Sequence, residues 1–188
     1  MGMGCLAGPV VVCAVAMTNH FYNEHHKKLH WLRESKLLLP HQREKFAAEL
    51  LKEKDLVYAI SSVSPKMIDK INIYQAARLG MKNAIKKLKP SFDLKTIVLV
   101  DGKTKIRGVD YEQVPIVKGD RKIFVIACAS VIAKVHRDKM MVGYAQKYPD
   151  YGFEKHKGYG TKYHQAQLIA LGPCEIHRRS FAPVAKML

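Results

Sequence analysis

The segment from Lys122 to Tyr148, "KIFVIACASVIAKVHRDKMMVGYAQKY", places the strongest constraint on how this chain can fold. Its residue types favour a long helix that is apolar on most sides in its first half and basic in its second half. A helix that is apolar all round has to be surrounded by other parts of the protein. We therefore expect this helix to be central to the fold.

Strand and helix patterns alternate along the rest of the chain. Short apolar or β-branched runs indicate strands, whereas apolar residues at helical spacing indicate helices, which begin near Pro40, Ser64 and Thr161. Alternation of this kind predicts an α/β protein with one main sheet and helices on its faces. The expected strands cover residues 9–17, 56–63 and 96–101, and residues 114–120 are expected to form a short strand and a turn. The expected further helices cover residues 40–54, 65–88 and 161–172.

The charge of the chain points to a polyanionic partner. Lys and Arg number 32 against 16 Asp and Glu, so the formal net charge is +16. Such an excess repels itself unless phosphates neutralise it, and nucleic acid is therefore the expected partner. A general compositional bias, or a surface that serves solubility alone, remains the alternative. At 188 residues the chain fits one domain with a real hydrophobic core.

Cysteines and apolar runs indicate the compartment. Cys5, Cys13, Cys128 and Cys174 form no CxxC pair, which favours buried thiols in a reducing cytoplasm over a zinc site or a disulfide framework. The apolar opening is rich in Val and broken by Gly-Pro, so it is interpreted as a buried strand. No apolar run reaches the length of about 18 to 20 residues that a bilayer crossing needs. We expect a cytoplasmic protein with no membrane partner.

Two carboxylates stand out as candidate metal ligands. Asp101 ends the run "TIVLVDG", which is typical of a strand buried on both faces, and Asp138 follows the apolar half of the central helix. Hard carboxylate oxygens suit Mg²⁺, which activates water at a phosphodiester. Each residue has a plainer interpretation: Asp101 as part of an Asp-Gly turn, and Asp138 as the partner of Arg137 or Lys134 in a surface ion pair.

Aromatic and histidine residues form two further clusters. Between Tyr148 and Pro173, tyrosines alternate with lysines, histidines and glycines, a mixture that suits a surface gripping a nucleic-acid strand. Packing around the prolines is the alternative, and we favour it for Tyr148 and Tyr151. The second cluster consists of His20, His25, His26 and His30. For it we favour a solvated basic segment over a metal site.

Eight segments together resemble the ribonuclease HII family, whose fold is a mixed sheet of the ribonuclease H type flanked by helices, with a helical C-terminal extension. They lie in the order and at the spacing of that family over nearly the whole chain. The segments are "CLAGPVVVCAV", "ESKLLLPHQRE", "IDKINIYQA", "VLVDG", "IVKGD", "ACASVIAKVHRDKMM", "YPDYGFEKHKGYGT" and "GPCEIHRRSFAPV".

The resemblance implies a metal-dependent endonuclease, with Mg²⁺ or Mn²⁺ as cofactor. Its substrates would be RNA–DNA hybrids and DNA duplexes that contain ribonucleotides, cut on the 5′ side of the ribonucleotide to leave 5′-phosphate and 3′-hydroxyl ends. Such an activity implies a part in DNA repair. It also implies a core at residues 1–142, a substrate-gripping extension at residues 143–188, and a monomer.

The resemblance further implies roles for individual residues. Asp101 and Asp138 match two of the four metal-binding acids of the family, and Tyr159 matches the tyrosine that stacks on the deoxyribose beside the ribonucleotide. The remaining matches, expected to contact substrate, are Gly2, Met3 and Gly4 for the 2′-hydroxyl, Ser35 and Lys36 near the backbone, and Ser130 and Arg178 for phosphate.

The chain departs from the family pattern at its start. The family opens with a strand that ends in Asp-Glu-Ala-Gly-Arg-Gly. In an ungapped alignment Gly2 to Gly4 fall on Gly-Arg-Gly with Met3 in place of arginine, and the Asp-Glu pair would precede Met1. The strand would therefore lie upstream of the given start, be lost in a degraded copy, or be replaced by another segment. The alternative function is accordingly a catalytically impaired protein that binds hybrids.

Overall fold

The computed structural model describes residues 1–28, 39–89 and 96–188. The strands are β1 (Val10–Met17), β2 (Leu56–Val63), β3 (Ile97–Asp101) and β4 (Glu112–Ile116). The helices are α1 (Asn19–His25), α2 (Pro40–Leu50), α3 (Pro65–Leu88), α4 (Phe124–Lys147), α5 (Phe153–His156), α6 (Lys162–Leu171) and α7 (Ala182–Ala185). Short 3-10 turns cover His26–Lys28, Gly119–Arg121 and Pro149–Tyr151. The predicted α/β alternation is confirmed.

The described strands form two small sheets. In one, β1 is hydrogen-bonded to β2, and in the other β3 runs parallel to β4, with Asp101 opposite Ile116. The fourth strand begins two residues before the predicted stretch 114–120, within which it ends and is followed by a turn, as expected. It ends because Lys118 takes a left-handed conformation, φ 56°, which turns the chain into the following 3-10 turn.

Strand β3 is less buried than its sequence predicts. Val100 is buried, but Ile97 at the other end is 46% exposed, so the expectation of a strand buried on both faces was wrong. Apolar β-branched residues also suit a half-exposed strand, because they pack well against cross-strand neighbours. The apolar run therefore located the strand without revealing how well it is covered.

One compact unit comprises residues 12–61 and 81–135. Its main core surrounds the first half of α4, as the sequence predicts for a helix that is apolar all round. From α4 the core takes buried residues that include Phe124, Cys128 and Ile132, and these pack with Phe21 of α1 and Leu50 of α2. The central position of this helix half is therefore confirmed within its unit.

The other compact unit comprises residues 1–11, 62–80 and 136–188. Its cores draw on the first residues of the chain: Leu6 packs with Leu168, Ala7 packs with Met141, and Val10 packs with other buried residues of the unit. The division of the chain at residue 142 stays a prediction. In this structure residues 143–188 share cores with the N-terminal segment.

Helix α3 is interrupted at Asn72, which has φ 63° and ψ 164°. The Oδ1 atom of Asn72 accepts hydrogen bonds from the backbone N–H groups of Tyr74 and Gln75. Asn72 therefore caps the N-terminus of the second half of the helix, as asparagine commonly does. The sequence predicts a helix throughout this range, and the structure resolves it into two helices that meet at this cap.

The cysteines are free, as predicted, and Cys5 and Cys128 are buried. Burial raises the pKa of the Cys13 and Cys128 thiols to about 12, so both stay protonated. Within residues 1–28, 39–89 and 96–188, no helix has the length and apolar content that a membrane crossing requires.

Candidate active site and nucleic-acid surface

Asp101 lies at the exposed end of β3, where a backbone group orients its carboxylate. The N–H of Gly119 donates to Asp101 Oδ1 at 2.9 Å. A Cβ at position 119 would lie 3.4 Å from that oxygen and 2.7 Å from Cδ1 of Ile126. Glycine therefore allows the close approach that holds Asp101. The sequence predicted Asp101 as a site residue, which stays a prediction, whereas the contact with Gly119 emerges only from the structure.

Asp138 lies on α4 beside a buried arginine. Arg137 is 1% exposed and directs its three guanidinium nitrogens to backbone carbonyls: Nε to Pro9 at 3.1 Å, Nη2 to Ala7 at 3.1 Å and Nη1 to Lys157 at 2.9 Å. The adjacent Asp138 side chain is only partly buried. The guanidinium is thus engaged by the backbone, and this anchors the part of the helix that carries Asp138.

A second buried arginine holds the N-terminal loop, which we define as residues 2–9. Arg178 is fully buried and donates to the carbonyls of Gly2 at 2.6 Å, Met3 at 2.9 Å and Gly8 at 3.0 Å. Gly2 has φ 82°, and a Cβ there would lie 2.2 Å from Nε of Arg137. The path of the Gly-Met-Gly backbone is therefore determined by two buried cations, with Gly4 exposed beside them.

Tyr159 belongs to the tyrosine loop, which we define as residues 156–160 and which pairs with the N-terminal loop. Tyr159 forms an antiparallel bridge with Cys5, and the N–H of Leu6 donates to Gly158 O at 2.8 Å. Gly158 has φ 81°, and a Cβ there would lie 2.5 Å from the carbonyl oxygen of Ala7. The two loops thus approach each other more closely than a side chain at position 158 would allow.

The ring of Tyr159 lies at the surface of this unit, 40% exposed. The guanidinium carbon of Arg137 is 6.0 Å from the ring centroid, at the limit of a cation–π contact. Burial is the main cause that raises the pKa of Tyr159, and Asp138 adds its negative charge. Asp138 therefore lies within electrostatic range of Tyr159, whose backbone pairs with Cys5, the residue that follows Gly2–Gly4.

Three histidines support the tyrosine loop. His164 is fully buried, and its Nδ1 lies 2.8 Å from Tyr159 O, while its Nε2 lies 3.1 Å from Nε2 of His177. The ring of His156 stacks on His164 with centroids 4.3 Å apart, and its Nδ1 accepts from the N–H of Gly158 at 3.1 Å. The sequence analysis missed these residues, because they come together only through the folding of distant turns.

The buried rings of His164 and His177 both have a lowered pKa. Burial is the main cause that lowers the pKa of His164 and of His177 to about 4, and the positive charge of nearby histidines contributes to this lowering. Both rings are therefore neutral at physiological pH. Their environment differs from that of His20, which is exposed and lies 3.5 Å from the carboxylate of Glu24.

Across the described parts of the chain, no group of three or more His, Cys, Asp or Glu side chains is arranged to hold a metal ion. For His20, His25 and His26, the interpretation as a solvated basic segment stays a prediction. His30 lies outside the described residues. Carboxylates at Asp101 and Asp138 remain the hard oxygen donors whose chemistry suits a divalent cation such as Mg²⁺.

Comparison with known proteins identifies the family. A family model described as Ribonuclease HII matches residues 1–184. A Ribonuclease HII of Caldicellulosiruptor bescii is 50% identical over 180 residues, covering 96% of this chain and 82% of that relative. The chain belongs to the ribonuclease HII family. Members of this family are endoribonucleases, as the resemblance implied.

Solved structures of ribonuclease H enzymes share the fold. The structure of a PCNA:RNase HII complex from Archaeoglobus fulgidus matches with a TM-score of 0.75 and 27% identity, covering 95% of this chain and 89% of that chain. The ribonuclease H2 of Pyrococcus horikoshii matches with a TM-score of 0.78 and 23% identity, covering 100% and 93%. The predicted ribonuclease H-like fold is confirmed.

The remaining site residues suggested by the ribonuclease HII pattern have different surroundings. Ser130 is partly buried on α4, in the unit that holds Asp101. Arg178 is buried against carbonyls, and a phosphate contact by this residue stays a prediction. Tyr151 is buried, stacks on Phe153 and donates its hydroxyl to Gly172 O at 2.6 Å, so the packing interpretation is confirmed for it. Ser35 and Lys36 lie outside the described residues.

Proposed function

We propose that this chain is a metal-dependent endonuclease that hydrolyses RNA in RNA–DNA hybrids and cuts on the 5′ side of ribonucleotides in duplex DNA. The products would carry 5′-phosphate and 3′-hydroxyl ends. Family membership supports hydrolysis of hybrids, whereas the bond cleaved, the products and the cofactor are proposals. The net charge of +16 supports a polyanionic substrate.

The observation that carries this proposal is the neighbourhood of Asp138. A candidate metal-binding carboxylate lies within electrostatic range of a partly exposed aromatic ring, Tyr159, whose backbone pairs with the residue that follows the glycine-rich segment Gly2 to Gly4. An aromatic ring can stack on a sugar or base, and peptide groups can hydrogen-bond a 2′-hydroxyl, which is the group that distinguishes RNA from DNA. Groups suited to chemistry and to RNA recognition thus belong to one compact unit.

The metal proposal rests on donor chemistry. Asp101 is exposed, and its Oδ1 is oriented by Gly119, so the carboxylate keeps lone pairs that can face a cation. Asp138 is a second, partly exposed carboxylate. Each of these carboxylates is proposed as a ligand of Mg²⁺ or Mn²⁺, with water and phosphate oxygens as the other ligands. When bound, such a cation lowers the pKa of water and neutralises the charge that develops on the leaving oxygen.

The substrate proposal assigns binding roles to surface groups. Tyr159 would stack on the sugar beside the ribonucleotide, and the peptide groups of Gly2 to Gly4 would contact the 2′-hydroxyl. Met3 stands between these glycines, and its side chain is 41% exposed. Its thioether is only a weak hydrogen-bond acceptor, so we expect the backbone to provide the polar contacts of this segment.

The experiment that tests this function is cleavage of a labelled DNA duplex that carries one ribonucleotide, in Mg²⁺ and in Mn²⁺. Asp101→Asn and Asp138→Asn should each reduce cleavage by about 100-fold or more, because each removes charge from a metal ligand. The matched controls are Asp110→Asn and Asp150→Asn, exposed acids in the same two units. Both controls should leave the rate within about twofold of the starting protein.

Two results would contradict the proposal. If Asp101→Asn and Asp138→Asn cut as fast as their controls, these carboxylates are not metal ligands. If the unsubstituted protein binds the ribonucleotide-containing duplex without cutting it in either metal, the chain is a hybrid-binding protein of the family. Mapping the ends of any product on a sequencing gel checks the proposed 5′-phosphate and 3′-hydroxyl.

A further inference from the structure

The tyrosine loop is held by hydrogen bonds on both sides of Tyr159. Before the tyrosine, Arg137 Nη1 donates to Lys157 O, and the N–H of Gly158 donates to His156 Nδ1. After it, the carbonyl of Tyr159 lies 2.8 Å from Nδ1 of His164 and accepts from the N–H of Thr161 at 2.8 Å. The backbone that carries the ring is therefore constrained by buried side chains.

The donor and the acceptor in each hydrogen bond of His164 and His177 can be assigned, because one partner in the series can only donate. The N–H of Cys174 can only donate, so Nδ1 of His177, which lies 3.0 Å away, is the acceptor. The proton of the neutral ring then lies on Nε2 of His177, which donates to Nε2 of His164. His164 consequently carries its own proton on Nδ1 and donates it to the Tyr159 carbonyl.

This series of hydrogen bonds, from the N–H of Cys174 to the carbonyl of Tyr159, fixes the tautomer of both rings. Each imidazole uses one nitrogen as donor and the other as acceptor, which only the neutral forms can do. A second proton on His177 would face the N–H of Cys174, and a second proton on His164 would face the N–H of His177. The two histidines therefore connect the backbone at Cys174 to the carbonyl of Tyr159 through a continuous series of hydrogen bonds.

We propose that His164, oriented by His177, is a positioning residue that sets where the Tyr159 ring meets the substrate and so determines selectivity for a ribonucleotide next to DNA. This inference rests on the proposed function, which gives Tyr159 its stacking role. His164 is fully buried in this structure and acts only through the tyrosine loop. Its effect is therefore expected in substrate selectivity and not in the chemistry of the metal site.

Two amide substitutions separate the contacts of His164. In His164→Asn, the amide nitrogen can take the place of Nδ1 and keep the donor to Tyr159, whereas the bond to His177 is lost. In His164→Gln, the longer side chain can reach His177 and loses the donor to Tyr159. Both variants place a primary amide in the same buried position, so a difference between them reports which contact matters. His20→Gln, at an exposed histidine, is the control.

The first readout is binding selectivity in EDTA, where no cleavage occurs. Fluorescence anisotropy gives the ratio of Kd for an all-DNA duplex to Kd for the same duplex with one ribonucleotide. Because base or sugar stacking on an aromatic ring contributes substantially to binding, we expect His164→Gln to lower this ratio by about tenfold. His164→Asn should lower it by less than about threefold, and His20→Gln should not change it.

The second readout tests whether His164 acts through Tyr159. In a Tyr159→Ala background the ring is absent, so His164→Gln should cause no further loss of selectivity. In the cleavage assay His164→Gln should raise KM for the single-ribonucleotide duplex and leave kcat within about threefold. An equal loss in the two amide variants, or a full loss on top of Tyr159→Ala, would overturn the inference.

The design distinguishes this inference from the proposed function. If no protein cuts any substrate but the binding ratio depends on His164 as described, the positioning role stands and the catalytic proposal fails.

If the amide variants do not fold, as judged by thermal unfolding, His177→Gln and His177→Asn replace them. Gln keeps the Nε2 donor to His164 and Asn loses it, so a larger loss of selectivity for His177→Asn is expected, and the reverse order would overturn the inference.

Discussion

Two parts of this protein that carry candidate site residues are built on opposite principles. At the end of β3, Asp101 is exposed and a backbone N–H from Gly119 orients it. Around Tyr159, by contrast, two buried arginines and the buried His164, which is itself bonded to His177, donate to carbonyls of the N-terminal and tyrosine loops. The exposed carboxylate of Asp101 thus has one backbone partner and stays accessible, whereas the backbone that carries Tyr159 is held by several buried donors.

This contrast predicts that substitutions of the residues that hold the N-terminal and tyrosine loops lower the stability far more than substitutions at Asp101. The largest effect is expected for Arg178→Leu, which leaves the carbonyls of Gly2, Met3 and Gly8 without their donor. Buried acceptors without partners cost about 1–3 kcal/mol each, so the free energy of unfolding should fall by about 3–5 kcal/mol. Urea unfolding followed by circular dichroism measures this.

The neighbouring residue supplies the control for that experiment. Arg179 has an exposed side chain, so Arg179→Leu should change the free energy of unfolding by less than about 0.5 kcal/mol. Equal losses for the two leucine variants would show that the N-terminal loop does not depend on the buried guanidinium, and the contrast between the two regions would fail.

Gly158→Ala is expected to have the next largest effect. The residue has φ 81°, and the new Cβ would lie 2.5 Å from the carbonyl oxygen of Ala7, which is backbone and cannot rotate away. We expect a loss of about 1–3 kcal/mol in the free energy of unfolding. Gly143→Ala, in α4 with open space around it, should instead gain about 0.5–1 kcal/mol. Loss in both variants would contradict the role assigned to the close loop contact.

The histidine pair should make stability depend on pH. The pKa of His164 and of His177 falls from 6.5 to about 4 on folding, so the unfolded chain binds more protons between these values. Their contribution is fully present above about pH 6.5 and is lost as the pH falls toward 4. Thermal unfolding from pH 7 to pH 4 should therefore show a falling Tm.

A variant isolates the contribution of the pair from that of other groups. The double substitution His164→Gln and His177→Gln removes both buried imidazoles, so its Tm should fall less steeply between pH 6.5 and pH 4. The exposed His20→Gln should follow the unsubstituted protein. If all three proteins show the same slope, the imidazoles are not buried in neutral form and the ordering of their hydrogen bonds is wrong.

The smallest effect on stability is expected at Asp101. Its carboxylate is exposed, so Asp101→Asn should change the free energy of unfolding by less than about 0.5 kcal/mol while it abolishes most of the cleavage. The comparison needs both measurements on one preparation. A large loss of stability would place Asp101 among the structural residues, together with Arg178, and would remove the distinction drawn above.

Much of the secondary structure was readable from local patterns. Strand β2 has the predicted bounds, Thr161 caps α6 through a hydrogen bond to the N–H of His164, and the apolar half of α4 is the core of its unit. These features depend on alternation, helical spacing and short-range capping, which are properties of neighbouring residues. The break in α3 at Asn72 was missed because asparagine is also tolerated inside a helix.

Among the candidate site residues, the sequence pointed to those whose chemistry shows in the residue type or in the family pattern. Asp101 was proposed as a carboxylate at a strand end and Tyr159 through the resemblance to ribonuclease HII, and both roles stay predictions. Gly119, Arg137, His164 and His177 were not assigned, because a glycine, an arginine or a histidine in isolation has many uses. Their partners are distant in sequence: the carbonyl of Ala7 for Arg137, for instance, and the ring of His177 for His164.

The order of the amino acids therefore specified the family, the alternation of strands and helices, and the residue types available for metal binding and stacking. These follow from periodicity, composition and motif spacing, which act over a few residues. The burial of Arg137 and Arg178 against carbonyls, and the tautomers of His164 and His177, arise only when separate segments meet. Burial is what makes an unsatisfied polar group costly, and it exists only once the chain has folded.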